Sequence, residues 1–134
     1  MKKIQRGFTI IELIVVISII AVLSGIVLGN IVPYINKGKN SAMKEQMTQI
    51  RAGASSFFAD NGDYDNACDS GTDCAKAKNN ITNLGGSISG QYWVGNIYCF
   101  SVTLTDGTKW CIDNTGYVGS ADNCASFPYS CSGS

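Results

Sequence analysis

One carboxylate stands alone in the most apolar part of this chain. In GFTIIELIVVISIIAVLSGIVLGNIV, Glu12 follows Phe8 by four residues, and the other clearly polar side chains between Phe8 and Val32 are Thr9, Ser18, Ser24 and Asn30. A charged side chain within hydrocarbon is costly and normally has a partner; the nearby hydroxyls carry no charge to answer it. A cation would arise if the peptide bond between Gly7 and Phe8 were cut. The new α-amino group, with an ordinary pKa of about 7.7–8.0, would stand one helical turn from Glu12. Within one helix the first-turn N–H groups and the macrodipole already favour a carboxylate there. Between two identical helices displaced along their axes, the amine of one copy would meet Glu12 of the next. That pair would fix the axial register, because desolvated charges are heavily penalised when mismatched.

The second set of reactive groups is the cysteines. Cys68, Cys74, Cys99, Cys111, Cys124 and Cys131 all lie in the second half of the chain, without paired CxxC spacing and with no His to complete a zinc site. They read as three disulfides formed in an oxidising compartment. Asp60, Asp63, Asp65, Asp69 and Asp73 crowd ADNGDYDNACDSGTDC but do not follow EF-hand spacing. A solvated acidic loop closed by Cys68 and Cys74 is the reading, and no metal or cofactor is expected. Asn80-Ile81-Thr82 is a formal glycosylation sequon.

Enzymatic function is disfavoured. The chain has no His, only 15% charged residues, and no GxSxG, Walker or HExxH pattern. Beyond Gly7, seven basic residues face ten acidic ones, a net charge of −3. That balance leaves no electrostatic footprint for nucleic acid. Without a basic groove, Tyr92, Trp93, Tyr98, Phe100, Trp110 and Tyr117 are not a stacking platform, and strand alternation explains most of them as core.

Distinct elements must position these groups. The 25 residues from Phe8 to Val32 are enough to span a hydrocarbon core of about 30 Å as a helix. They exceed the apolar core of a secretory signal, about 7 to 15 residues. Lys2, Lys3 and Arg6 in front of the run predict a cytoplasmic N-terminus and a head on the far side of the membrane, which agrees with the cysteines. Gly25, Gly29 and Pro33 weaken the end of the run. Past Gly38, Met43, Met47, Ile50, Ala54 and Phe57 form one face of an amphipathic helix, with Lys44, Glu45, Gln49 and Arg51 off it. That face holds the helix to its own sheet.

From Gln91 the chain reads as strands QYWV, IYCFSVTL, TKWCID and GYVG, separated by Gly-Asn, Asp-Gly and Asn-Thr-Gly turns. Tyr98, Phe100, Val102 and Leu104 alternate on one face, as do Trp110 and Ile112. For both sets to share the core, paired positions must sum to an even number, so the turn around Asp106 has an odd number of residues. Cys99 and Cys111 then fall together on the other face, opposed or offset by two. The preferred connectivity among fifteen is local: Cys68–Cys74, Cys99–Cys111 and Cys124–Cys131.

The stretch KKIQRGFTIIELIVVISIIAVL resembles the class III signal sequence of type IV pilins and the related pseudopilins. The likeness rests on the basic leader ending in Gly7, on Phe8, and on Glu12 at the fifth position after the cut. It covers about the first thirty residues; the rest agrees in overall plan. The resemblance implies that a prepilin peptidase cleaves after Gly7 and methylates the amine of Phe8, and that Glu12 recruits subunits. The implied fold is α+β, a long N-terminal helix packed on a small antiparallel sheet with a disulfide-stapled head. The layout is residues 1–7 as cleaved leader, 8–33 as transmembrane and filament-core helix, 34–59 as amphipathic helix and 60–134 as head. The implied partners are lipid before assembly, the inner-membrane assembly machinery and further copies in a helical homopolymer. The precursor would be a single-pass inner-membrane protein with its head outside, and the product an extracellular pilus for adhesion, twitching motility or DNA uptake. Gly25 to Pro33 would be helical in the subunit and extensible in the polymer. The alternative is a pseudopilin of a type II secretion system; major pseudopilins usually carry a C-terminal calcium site, and SADNCASFPYSCSGS offers none.

Overall fold

A computed structural model describes residues 7–121, 124 and 129–131, with Asn30 described by its backbone. Most of the leader read at residues 1–7, and most of the C-terminal loop, lie outside these residues. The order of elements is α1 (Ile10–Asn61), α2 (Asp73–Asn83), β1 (Ser87–Val94), β2 (Ile97–Thr103), β3 (Lys109–Asp113) and β4 (Val118–Ser120). The fold is α+β. The chain divides into two units between Ile35 and Asn36, taken here in turn.

In the first unit, α1 begins at Ile10 and continues through Gly25, Gly29 and Pro33. Ile10–Gly29 is long and apolar enough to cross a membrane by length and composition. From Phe8 to Ile35 its large apolar side chains are 40–79% exposed. The two serines hide their polarity within the helix: Ser18 Oγ donates to the Ile14 carbonyl and Ser24 Oγ to that of Ile20, each at 2.7 Å.

In the second unit the strands form one antiparallel sheet in chain order, β1-β2-β3-β4. The β2–β3 register pairs Thr103 with Lys109, Val102 with Trp110 and Phe100 with Ile112. Paired positions therefore sum to an even number and the intervening loop, 104–108, is odd, as the alternation requires. One face carries Tyr98, Phe100, Val102 and Ile112 against Met43, Met47, Ile50 and Ala54 of α1. Phe58 rather than Phe57 extends that contact, packing on Tyr64 with ring centroids 4.7 Å apart. A helix turns 100° per residue, so a strict four-three alternation drifts, and by its last turn the seam has moved one residue along.

Two elements differ from the sequence reading. The acidic stretch ends in α2, whose N-cap is Thr72; its Oγ1 accepts from Ala75 N at 3.1 Å. Cys74, Ala77 and Ile81 bury one side of α2. It stops at Gly85, in the left-handed region at φ +98°. There Gly86 N donates to Ile81 O and Gly85 N to Thr82 O, each at 3.0 Å, which is a Schellman closure. The first strand also starts at Ser87 rather than Gln91, because the register shifts between Ile88 and Gly90. This bulge lets Ile88, opposite Val102, and Trp93, opposite Tyr98, both face the core.

Near the start of the second unit, Asn40 is 7% exposed. Its Oδ1 accepts from Thr105 N at 3.1 Å and Thr105 Oγ1 at 2.6 Å, while its Nδ2 donates to Asp106 Oδ2 at 2.7 Å. One amide thus pins α1 to the β2–β3 turn. The backbone N–H of Thr108 is the main group that holds the Asp106 carboxyl below the usual carboxylate range, with a smaller contribution from Asn40.

Two expectations follow from this packing. Met47→Ala should destabilise the full chain by about 2–5 kcal/mol in denaturant unfolding followed by Trp fluorescence, and Phe57→Ala by clearly less; the reverse order would refute the assigned seam. Because the folded pKa of Asp106 is depressed, its stabilisation is complete above the ordinary Asp value of about 3.9 and is lost as pH falls through the lower folded value. An NMR titration of the Thr105 and Thr108 amides should therefore have its midpoint below that ordinary value and vanish in Asp106→Asn. A midpoint at or above it would contradict the clamp.

Candidate functional site

Gly7, Phe8 and Thr9 precede the helix. Phe8 is 79% exposed and nothing lies within 4 Å of a Cβ placed on Gly7, so the bond between them stands in open, non-helical backbone. At the helix start, Thr9 N and Thr9 Oγ1 both donate to Glu12 Oε2, at 2.9 and 2.7 Å. Glu12 N in turn donates to Thr9 Oγ1 at 3.3 Å. This is a reciprocal capping box, Thr at the cap and Glu three residues on.

The sequence offers Glu12 no charged partner nearby, and the structure adds an uncharged one. Thr9 gives two hydrogen bonds to one oxygen of the carboxylate, and Thr9-Ile10-Ile11-Glu12 carried the signal. The box does not neutralise the carboxylate. Glu12 remains a negative charge on a helix whose neighbouring side chains are apolar and exposed.

The cysteines form the second constellation. Cys68 is bonded to Cys74, Cys99 to Cys124 and Cys111 to Cys131. The local bridge Cys68–Cys74 is present. The expected Cys99–Cys111 and Cys124–Cys131 bridges are replaced by two that cross to the C-terminal segment. The strand register supplies the reason: Cys99 faces Asp113 and Cys111 faces Ser101, so the two cysteines share a face, offset by two, and both are free to receive a cysteine from above. Cys99, Cys111, Cys124 and Cys131 make a separate buried cluster on which Ala121 and Tyr129 pack. Tyr129 stacks on Tyr92 with centroids 3.7 Å apart. The sulfurs of Cys99, Cys111 and Cys131 lie within 4.8 Å of one another, a spacing that could bracket a soft metal. Each is spent in a disulfide, and a metal ligand must be a thiolate.

Elsewhere the ionisable groups do structural work. Burial, seconded by the neighbouring Tyr64, pushes the Tyr98 hydroxyl up to about 12. The hydrogen bond from Lys76, 2.8 Å away, lowers the Asp73 carboxyl. Neither group has the poised pKa or the convergent partners of a general acid or base.

With this geometry in hand, the comparisons are specific about the N-terminus. Residues 2–28 match the prokaryotic N-terminal methylation motif. The chain is also similar to the type IV major pilin protein PilA of Myxococcus xanthus (strain DK1622), at 33% identity over 60 residues. That match takes in 45% of this chain and only 27% of the relative's length. No solved structure matches. What these likenesses establish is the methylation motif of the N-terminal segment and a partial similarity to a type IV major pilin.

Proposed function

We propose that this chain is the structural subunit of a type IV pilus-like filament, cut after Gly7, N-methylated at Phe8 and polymerised through its N-terminal helix. The observation that carries the reading is Glu12: a single charge, capped but not neutralised, on a helix whose apolar side chains are uncovered. Exposed apolar surface on this scale needs lipid or a partner, and a stack of identical helices is a partner that also supplies one amine per carboxylate. The open backbone at Gly7 and Phe8 suits a peptidase, which binds extended chain. In this reading Gly7 ends the leader, Phe8 and Glu12 set the register, residues 8–33 form the filament core, and Gly25, Gly29 and Pro33 mark where the core helix gives way. Prepilin peptidase, the inner-membrane assembly machinery, lipid and other copies are the partners. The precursor lies in the inner membrane with its head outside, and the filament serves adhesion, twitching motility or DNA uptake.

Mass spectrometry of mature material should find an N-methylated Phe8 at the terminus, and electron microscopy of sheared fractions should find long filaments containing the chain. A processed subunit confined to the envelope would instead indicate a pseudopilin. Glu12→Gln should be cleaved normally yet reduce filament yield by about tenfold or more, as expected when one member of a desolvated pair loses its charge; wild-type assembly by that variant would sink the ion pair. In assembled filaments, hydrogen exchange should be fastest between Gly25 and Pro33, and uniform strong protection there would argue against extension.

A further inference from the structure

The four sulfurs of the cystine face do not choose partners by proximity. Cys99 Sγ lies 3.6 Å from Cys111 Sγ and 3.8 Å from Cys131 Sγ, and Cys111 Sγ lies 3.8 Å from Cys124 Sγ, all across unbonded pairs. Small side-chain rotations would convert the observed pairing into Cys99–Cys131 with Cys111–Cys124, and would equally join Cys99 to Cys111. All four residues are buried, so solvent access does not distinguish them either. The choice must be made by the backbone that delivers Cys124 and Cys131.

A buried group grips that backbone at Cys131. Asp113 is 1% exposed and, standing opposite Cys99 in the β2–β3 ladder, shares its face of the sheet. Its Oδ1 accepts from Thr115 N at 2.9 Å, Thr115 Oγ1 at 2.6 Å and Tyr117 N at 3.2 Å. The β3–β4 turn therefore fixes the carboxylate's orientation. Its Oδ2 accepts the N–H of Cys131 at 2.7 Å, a buried, charge-assisted bond of the stronger class.

The other tail cysteine is received by an absence. A Cβ on Gly90 would stand 3.2 Å from Cys124 Cβ and 3.3 Å from Cys124 N, so only glycine at this bulge leaves room. Cys124 is thus seated against β1 and Cys131 is held at β3. Each then reaches the cysteine to which it is bonded.

We propose that Asp113 is the positioning residue that selects the cystine pairing: its grip on the Cys131 amide commits Cys131 to Cys111. The consequence is topological. The observed bridges staple the C-terminal segment to β2 and β3, whereas Cys99–Cys111 with Cys124–Cys131 would leave that segment without a covalent tie to the sheet. Asp113 takes no part in the redox step itself. Each bridge forms as two thiols give up two protons and two electrons to an external disulfide such as oxidised glutathione, which leaves as two thiols.

Reoxidising the reduced full chain in detergent with a glutathione buffer, then digesting it without reduction, reads the pairing directly. Wild type should return mainly Cys99–Cys124 and Cys111–Cys131. Asp113→Asn preserves size but turns one carboxylate oxygen into a donor, and should raise the share of the other two pairings about fivefold or more, the response to losing a bond worth about 1 kcal/mol. Cys68–Cys74, in the other cluster, should keep its linkage throughout. Thr115→Val removes one bond of the turn and spares the Cys131 contact, so it should pair as wild type. Unchanged pairing in Asp113→Asn, or equal scrambling in Thr115→Val, overturns the assignment. Should Asp113→Asn fail to fold, a Cys124→Ser chain decides the matter, since the three remaining cysteines of the cluster can then pair as Cys111–Cys131, Cys99–Cys131 or Cys99–Cys111. Alkylation should find Cys99 as the free thiol in a several-fold majority, and an even split or a majority of free Cys111 or Cys131 rejects the proposal.

Discussion

The constraint on which this molecule turns is apolar surface that the chain does not cover for itself. Along the first unit nearly every large side chain is aliphatic and about half exposed or more. Several of its described polar groups are satisfied locally. Ser18 and Ser24 return their hydroxyls to carbonyls of the preceding turn, and Thr9 closes a capping box with Glu12. Hydroxyls so arranged ask nothing polar of their surroundings, which suits residence in lipid. The same condition lets the helix pack against copies of itself. Charge is the one demand left open, because a hydroxyl and an amide can stabilise a carboxylate but cannot cancel it.

The second unit solves the opposite problem, that of a small sheet needing cover on both faces. One face is closed by the α1 seam and α2. Among the described residues the other carries no helix, and the tail cysteines cover it. Their loops span 25 and 20 residues, and on the chain-entropy account bridges of this size contribute about 3 kcal/mol each. Such staples matter where a head of this size buries little apolar surface. The even register makes the division possible. Had the β2–β3 loop held one residue fewer, Cys99 and Cys111 would have fallen on opposite faces, and one would have entered the core.

Much of this was legible in the sequence because it rests on period. The apolar run, the helical spacing of Met43, Met47, Ile50 and Ala54, and the alternation through Tyr98, Phe100 and Val102 each encode one face directly. Glu12 was conspicuous because it breaks a period. What escaped notice was carried by other signals. Helix α2 is polar and its apolar face rests on Cys74, Ala77 and Ile81, so periodicity is faint; Thr72 at its start and Leu84-Gly85-Gly86 at its end were the better guides. The bulge at Ser89 inverts the phase of β1, so strict alternation could not extend the strand upstream of Gln91. Asn40 and Asp113 were invisible for a deeper reason: each acts on a residue at least 18 positions away, and no local pattern marks such a contact. The cystine pairing failed on the same ground, since short loops favour local closure while the folded sheet presents all four sulfurs together.

These two solutions meet along α1, and their chemistry differs at a definite place. Up to Ile35 the large apolar side chains of the helix are exposed, and Pro33 removes one donor from its ladder. From Asn40 onward it is tied by side-chain bonds to the β2–β3 turn, and from Met43 by a fully buried seam. Unwinding that reached Asn40 would have to break a buried amide's three hydrogen bonds before exposing any core. The resistance to propagation is set by the polar clamp first and by the methionine seam behind it.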